Sequence, residues 1–210
     1  MQVLNNFLLV KSNIARHSSK AKLIVVTKNQ QLDSINFLIK AHHFDFGENR
    51  VQEASLKWKN LISNNTQLKL HLIGKLQSNK AKDAFDIFHY IHTLDNEKLA
   101  RIFAKLETNS LKKIKYFIQV NVGNEPQKNG ISINDVKLFA KYCIHDLKLN
   151  IIGLMCIPPS DSDPSQYFKN LAELAAENNL KELSMGMRND YECAIEHGAT
   201  YVRVGSKIFS

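Results

Sequence analysis

LIVVTKN, residues 23–29, places five apolar or β-branched residues directly before a lysine and an asparagine. A short run of that kind is typical of a strand buried on both faces in a parallel sheet. Amphipathic stretches flank it, at residues 4–16 and 32–41. The first sets Leu4, Leu8 and Lys11 along one helical stripe, and the second sets Ile35, Leu38 and Ile39 on one face. The same alternation runs through the chain. Further strands are expected at residues 43–46, 68–73, 88–93, 116–122, 149–157, 182–185 and 201–204. Further helices are expected at 51–62, 79–85, 96–107, 133–145, 165–178 and 190–197.

Strands that alternate with helices in this order demand parallel pairing. Eight of them predict an α/β fold, a (β/α)8 TIM barrel formed as one domain over residues 1–210, with an extra N-terminal helix. Only a turn follows the last strand, so the N-terminal helix is expected to cover that flank. A doubly wound open sheet would fit the same alternation.

Composition narrows the function. The 210 residues are 44% hydrophobic and 23% charged, which suits one sizeable domain and argues against disorder along the whole chain. The formal charge of +8 could attract nucleic acid, anionic membrane or phosphorylated small molecules. The lysines are scattered and nowhere interleave with aromatic residues, so a solvated basic surface is expected rather than a nucleic-acid groove. No apolar run is long enough to span a bilayer, and residues 1–20 do not read as a secretory signal. Cys143, Cys156 and Cys193 are odd in number and far apart. They predict neither a disulfide framework nor a zinc site, and they place the chain in a reducing cytoplasm. The histidines show no metal-ligand spacing, and no metal is expected.

In such a barrel the chemistry lies at the C-terminal ends of the strands. Lys28 follows the first strand on the side of Ile24 and Val26, where a lysine is expected to be partly desolvated. Desolvation favours the neutral amine, which attacks aldehydes. The plainer reading is a lysine that ends a strand and reaches to water. Gly205-Ser206 follows the last strand and could turn backbone N–H groups and a hydroxyl toward a phosphate, or could be an ordinary turn. Arg203 alternates with Val202 and Val204, so it points inward if they face the helices. A buried arginine needs an anion or an acceptor, and an ion pair with a neighbouring strand is the plain alternative. His71 alternates with Leu70 and Leu72 and is also expected to point inward.

Seven segments carry a further signal. LIVVTKN is followed by FGENRVQEA from Phe46, HLIGKLQSNK from His71, FIQVNVGNEPQKNGI from Phe117, GLMCIP from Gly153, LSMGMRNDYECAIEHGAT from Leu183 and VRVGSKIF from Val202. Together, and in this order, they resemble the YggS/PROSC family of pyridoxal phosphate homeostasis proteins. The resemblance implies a barrel like the N-terminal part of bacterial alanine racemase, with pyridoxal 5'-phosphate held as a Schiff base on Lys28. It implies that Gly205 and Ser206 hold the phosphate and that Arg203 lies beside the pyridine ring, keeping its nitrogen unprotonated. Asn49, His71, Met155 and Ser184 match positions that line the family's pocket. The implied role is to carry or buffer the cofactor in vitamin B6 homeostasis without catalytic turnover, with apoenzymes that use the cofactor as partners and a monomeric state. An amino-acid racemase is the alternative. It needs an acid/base on each face of the substrate, one of them supplied in alanine racemase by parts for which a chain ending at Ser210 leaves no room. Several positions depart from the family pattern: Arg188 stands where serine is usual, Lys75 where proline is usual and Ser210 where glycine is usual, and the segment after Lys28 lacks the usual proline.

Overall fold

In the computed structural model, which describes residues 2–210, eight strands close on themselves. They are β1 (Lys22–Val26), β2 (Asp45–Glu48), β3 (Lys69–Leu72), β4 (Tyr90–Leu94), β5 (Lys115–Val120), β6 (Ile151–Cys156), β7 (Glu182–Met187) and β8 (Tyr201–Val204). Each pairs in parallel with its successor, and β8 returns to β1 with Tyr201 opposite Lys22 and Val204 opposite Val25. The open sheet is thereby ruled out.

Alternation along the strands sorts the side chains into two layers. Leu23, Val25, Leu70, Leu72, Val202 and Val204 face outward into one large core shared with the helices. Ile24, Tyr90, Phe117, Met155 and Tyr201 face inward and form a separate packed cluster. The barrel interior is therefore filled, as this fold requires. At Gly153 a Cβ would lie 1.9 Å from Glu182 O, so only glycine lets β6 and β7 approach this closely.

The helices are α1 (Gln2–His17), α2 (Leu32–Lys40), α3 (Val51–Asn64), α4 (Ala81–Ile87), α5 (Glu97–Thr108), α6 (Val136–Lys141), α7 (Ser165–Glu177), α8 (Tyr191–Glu196) and α9 (Ser206–Phe209). Helix α6 continues into a π-helical turn over Tyr142–Asp146. Helix α1 covers the flank of the last strand, as expected. Its Asn6 donates to Ser210 O at 2.9 Å and its Asn13 to the Tyr191 hydroxyl at 2.9 Å. The stripe it buries differs from the one expected. Phe7, Val10 and Ile14 face the core, whereas Leu8 is 50% exposed. Strand β2 begins at Asp45, two residues later than expected, because His43 is packed edge-on between Phe7 and Phe46. Among the described residues no helix is long and apolar enough to cross a membrane.

Candidate functional site

A cleft of about 340 Å³ opens at the C-terminal end of the barrel, lined by Val26, Lys28, Asn49, Ile73, Ile157, Met187, Arg188, Arg203, Gly205 and Ser206. These residues come from the ends of six strands, which only closure of the barrel gathers. The volume is within the range of small-ligand pockets.

Lys28 occupies a turn just past β1, in which Gln30 N donates to Thr27 O at 3.1 Å and Asn29 takes φ of 60°. A charge cluster built on the buried Glu48 holds this turn from below. Lys57 Nζ donates to Thr27 O at 2.7 Å, to Glu48 Oε1 at 2.8 Å and to Glu53 Oε1 at 2.9 Å. Glu48 Oε1 also accepts from Thr27 Oγ1 at 2.7 Å and from Trp58 Nε1 at 2.9 Å. Glu53 Oε1 accepts from Asn29 N at 2.6 Å. Burial pushes the Glu53 carboxyl up, but the Asn29 N–H and Lys57 outweigh it and hold the group below its ordinary value. The backbone on both sides of Lys28 is thus fixed. Lys28 itself is exposed, contrary to the expected partial desolvation, because the turn carries it beyond the last paired residue onto the open rim.

Arg203 is 3% exposed. Its Nη1 donates to Ser184 Oγ at 2.6 Å and its Nη2 to Cys156 O at 2.9 Å. Among the described residues no carboxylate lies within ion-pair distance of it, so the plain alternative of an inter-strand ion pair does not hold. Burial draws its guanidinium down to about 10, still far above neutrality, and the group keeps its charge. The same burial pushes the neighbouring Cys156 thiol up to about 12, so that thiol supplies no countercharge.

Asn49 Oδ1 is buried and has no hydrogen-bond partner, which is costly unless a ligand donates to it. Beside it, a Cβ on Gly74 would lie 2.2 Å from Asn49 O, so glycine is needed where the end of β3 meets this residue. Gly205 approaches Val26 in the same way, since a Cβ there would lie 2.9 Å from Val26 O. Ser206 then opens α9, whose first N–H groups have no intrahelical acceptor.

The structure therefore brings Lys28, Asn49, Arg203, Gly205 and Ser206 together. It does not place His71, Met155 or Ser184 on the cleft. Met155 belongs to the inner apolar cluster, and Ser184 lies buried behind Arg203. His71 points inward as expected, but its Nε2 lies 3.0 Å from Asp45 Oδ1, at the opposite end of the barrel. Ile73, Ile157 and Met187, each of which ends or follows a strand, form an apolar wall of the cleft. Arg188 lies exposed on the rim with φ of 38°. A larger cleft of about 640 Å³ between α3 and α4 has Lys59 as its one lining cation, set beside Asp83 and Asp86, and includes no buried one. The lining of the barrel cleft includes no carboxylate, histidine, cysteine or tyrosine. It offers one amine, a buried cation, an unfilled acceptor and a glycine turn. That set can hold a small anionic carbonyl compound, but it lacks a pair of acid/base groups on opposite faces.

A family model described as the alanine racemase N-terminal domain matches residues 3–210. A pyridoxal phosphate homeostasis protein of Pasteurella multocida is 33% identical, over 99% of this chain and 94% of its own length. PipY of Synechococcus elongatus, solved both without and with pyridoxal phosphate bound, is 32% identical over the whole of both chains, with TM-scores of 0.92 and 0.89. Alanine racemase of Corynebacterium glutamicum shares the fold with a TM-score of 0.73 at 14% identity, and this chain covers 60% of it.

Proposed function

The chain belongs to the pyridoxal phosphate homeostasis proteins of the alanine racemase N-terminal domain family, and from this we propose that it binds pyridoxal 5'-phosphate and carries or buffers it, with no substrate turnover of its own. The observation that carries the reading is a single cleft lined by both Lys28 and a buried Arg203 that has no carboxylate at ion-pair distance. When bound, the cofactor supplies an aldehyde that condenses with an amine.

The residues present fit such a ligand. Lys28 is the one amine on the cleft, and the Thr27–Glu48–Lys57–Glu53 cluster fixes its turn. The Gly205-Ser206 turn offers backbone N–H groups and a hydroxyl to a phosphate. Arg203 presents a cation held by Ser184 and Cys156 O, suited to a ring nitrogen that stays unprotonated. Asn49 Oδ1 offers an acceptor to a hydroxyl donor. Ile73, Ile157 and Met187 offer an apolar wall to a ring. Lys28 is exposed, so a group held on it would stay within reach of an incoming amine. This supports delivery to apoenzymes, and three free thiols fit a reducing cytoplasm. The racemase reading has little support, because the cleft provides no second base opposite Lys28.

The test is direct. The purified protein, titrated with pyridoxal phosphate, reduced with borohydride and digested, should carry the label on Lys28 alone. Label on another lysine, or on none, would remove the assignment.

A further inference from the structure

Five polar side chains run through the apolar interior of the barrel in a continuous file. Asp45 Oδ1 lies 3.0 Å from His71 Nε2, His71 Nδ1 lies 3.0 Å from His92 Nε2, and His92 Nδ1 lies 2.7 Å from Ser184 Oγ. Ser184 Oγ in turn lies 2.6 Å from Arg203 Nη1. His71, His92 and Ser184 are fully buried, whereas the Asp45 side chain is 31% exposed where β2 begins, at the end of the barrel away from the cleft. The two rings are clamped. His71 stacks on Tyr90 at 4.2 Å and His92 on Phe117 at 4.3 Å.

The chemistry of the ends fixes the sense of the file. An ionised carboxylate only accepts and a guanidinium only donates. Burial foremost lowers the pKa of both His71 and His92, so both rings are neutral. With Asp45 accepting, His71 must carry its proton on Nε2 and accept at Nδ1. His92 must then donate from Nε2 and accept at Nδ1, which leaves the Ser184 hydroxyl to donate to His92 and to accept from Arg203. Every donor faces an acceptor in one direction only.

We propose that Asp45 anchors the one-way file His71–His92–Ser184, whose polarity runs through the barrel and positions the guanidinium of Arg203 at the cleft. No carboxylate lies within ion-pair distance of Arg203 among the described residues; Asp190 acts on it only through space, whereas Asp45 is joined to it by hydrogen bonds through neutral groups. Asp45, His71, His92 and Ser184 are positioning residues and touch no ligand. The consequence for ligand binding rests on the cofactor reading above, whereas the file itself does not.

Long-range ¹H–¹⁵N correlation on the ¹⁵N-labelled full chain, without ligand at pH 7.5, should show His71 and His92 as neutral Nε2–H tautomers. An Nδ1–H tautomer or an imidazolium at either ring overturns the proposal. In Asp45→Leu the His92 nitrogens should shift although His92 does not touch Asp45. A change confined to His71 overturns it. Should that variant not fold, Asp45→Asn decides alone. It keeps an acceptor but removes the charge, so the tautomers should persist while pyridoxal phosphate affinity falls about tenfold, the scale of a hydrogen bond to a charged group. Asp45→Glu should restore the affinity. Unchanged affinity in Asp45→Asn overturns the proposal. If the wild-type protein binds no pyridoxal phosphate yet both tautomers are as stated, the cofactor reading fails and the file stands.

Discussion

At the scale of single residues, the cleft depends on what is missing as much as on what is present. Gly205 has no side chain because Val26 O is too near, and an added Cβ must push the start of α9 away. Gly205→Ala should therefore weaken pyridoxal phosphate binding by tenfold or more, while costing stability only about 1–3 kcal/mol; titration and urea unfolding read the two separately. Arg188 is different, being an exposed cation on the rim in place of the family's hydroxyl. Its contribution to holding an anion is long-range and screened by salt. Arg188→Ser should weaken binding by about two- to fivefold at low ionic strength, in keeping with about 0.2–1 kcal/mol for an exposed pair. The difference should vanish at high salt, and an equal loss at every salt concentration would show a specific contact instead.

At the scale of elements, β1, β2 and α3 are joined by one buried ion pair. The Glu48 side chain is fully buried, that of Lys57 is 10% exposed, and Glu48 Oε2 has no partner at all. Removing the cation leaves a buried carboxylate without its countercharge, so Lys57→Met should cost about 3–5 kcal/mol in urea unfolding. It should also loosen the turn that carries Lys28, since Lys57 Nζ binds Thr27 O directly. The elements themselves were largely legible. LIVVT, LKLHLI and YFIQVNV are short β-branched or apolar runs, and each proved to be a barrel strand. The phase of α1 was not legible, because its sequence has apolar residues on two sides and the buried face is selected by the elements it packs on, with Phe7 set against His43. The π-helical turn at Tyr142–Asp146 left no mark in residue type. Within the site, the inward phase of Arg203 could be read from its neighbours. The remoteness of His71 could not, since it depends on the stagger that sets Asp45 opposite Lys69 and Gly47 opposite His71.

At the scale of the whole molecule, several buried groups resist protonation together. Burial, above all, lowers His43 from 6.5 to about 4, and burial also lowers His71 and His92. The Asp45 carboxyl, pushed up by burial, is drawn below its ordinary value by the His71 hydrogen bond and nearby charges. The unfolded chain binds protons at these histidines near pH 6.5, and the native chain does so only at lower pH, about 4 for His43. Stability is thus complete above about pH 6.5 and falls as pH drops toward 4, by up to about 1.4 kcal/mol per pH unit for each such histidine. Urea midpoints should be clearly lower at pH 5 than at pH 7.5, and a flat profile would show that the histidines are not held neutral. The seam where β8 meets β1 joins residues at opposite ends of the described chain, and it also divides the cleft, with Lys28 on one bank and Arg203, Gly205 and Ser206 on the other. Any molecule bonded to both banks becomes a clasp on the closure of the entire sheet. Saturation should raise the melting temperature and slow amide–deuterium exchange in β1 and β8 together, so that vitamin supply and the lifetime of the folded chain become one quantity.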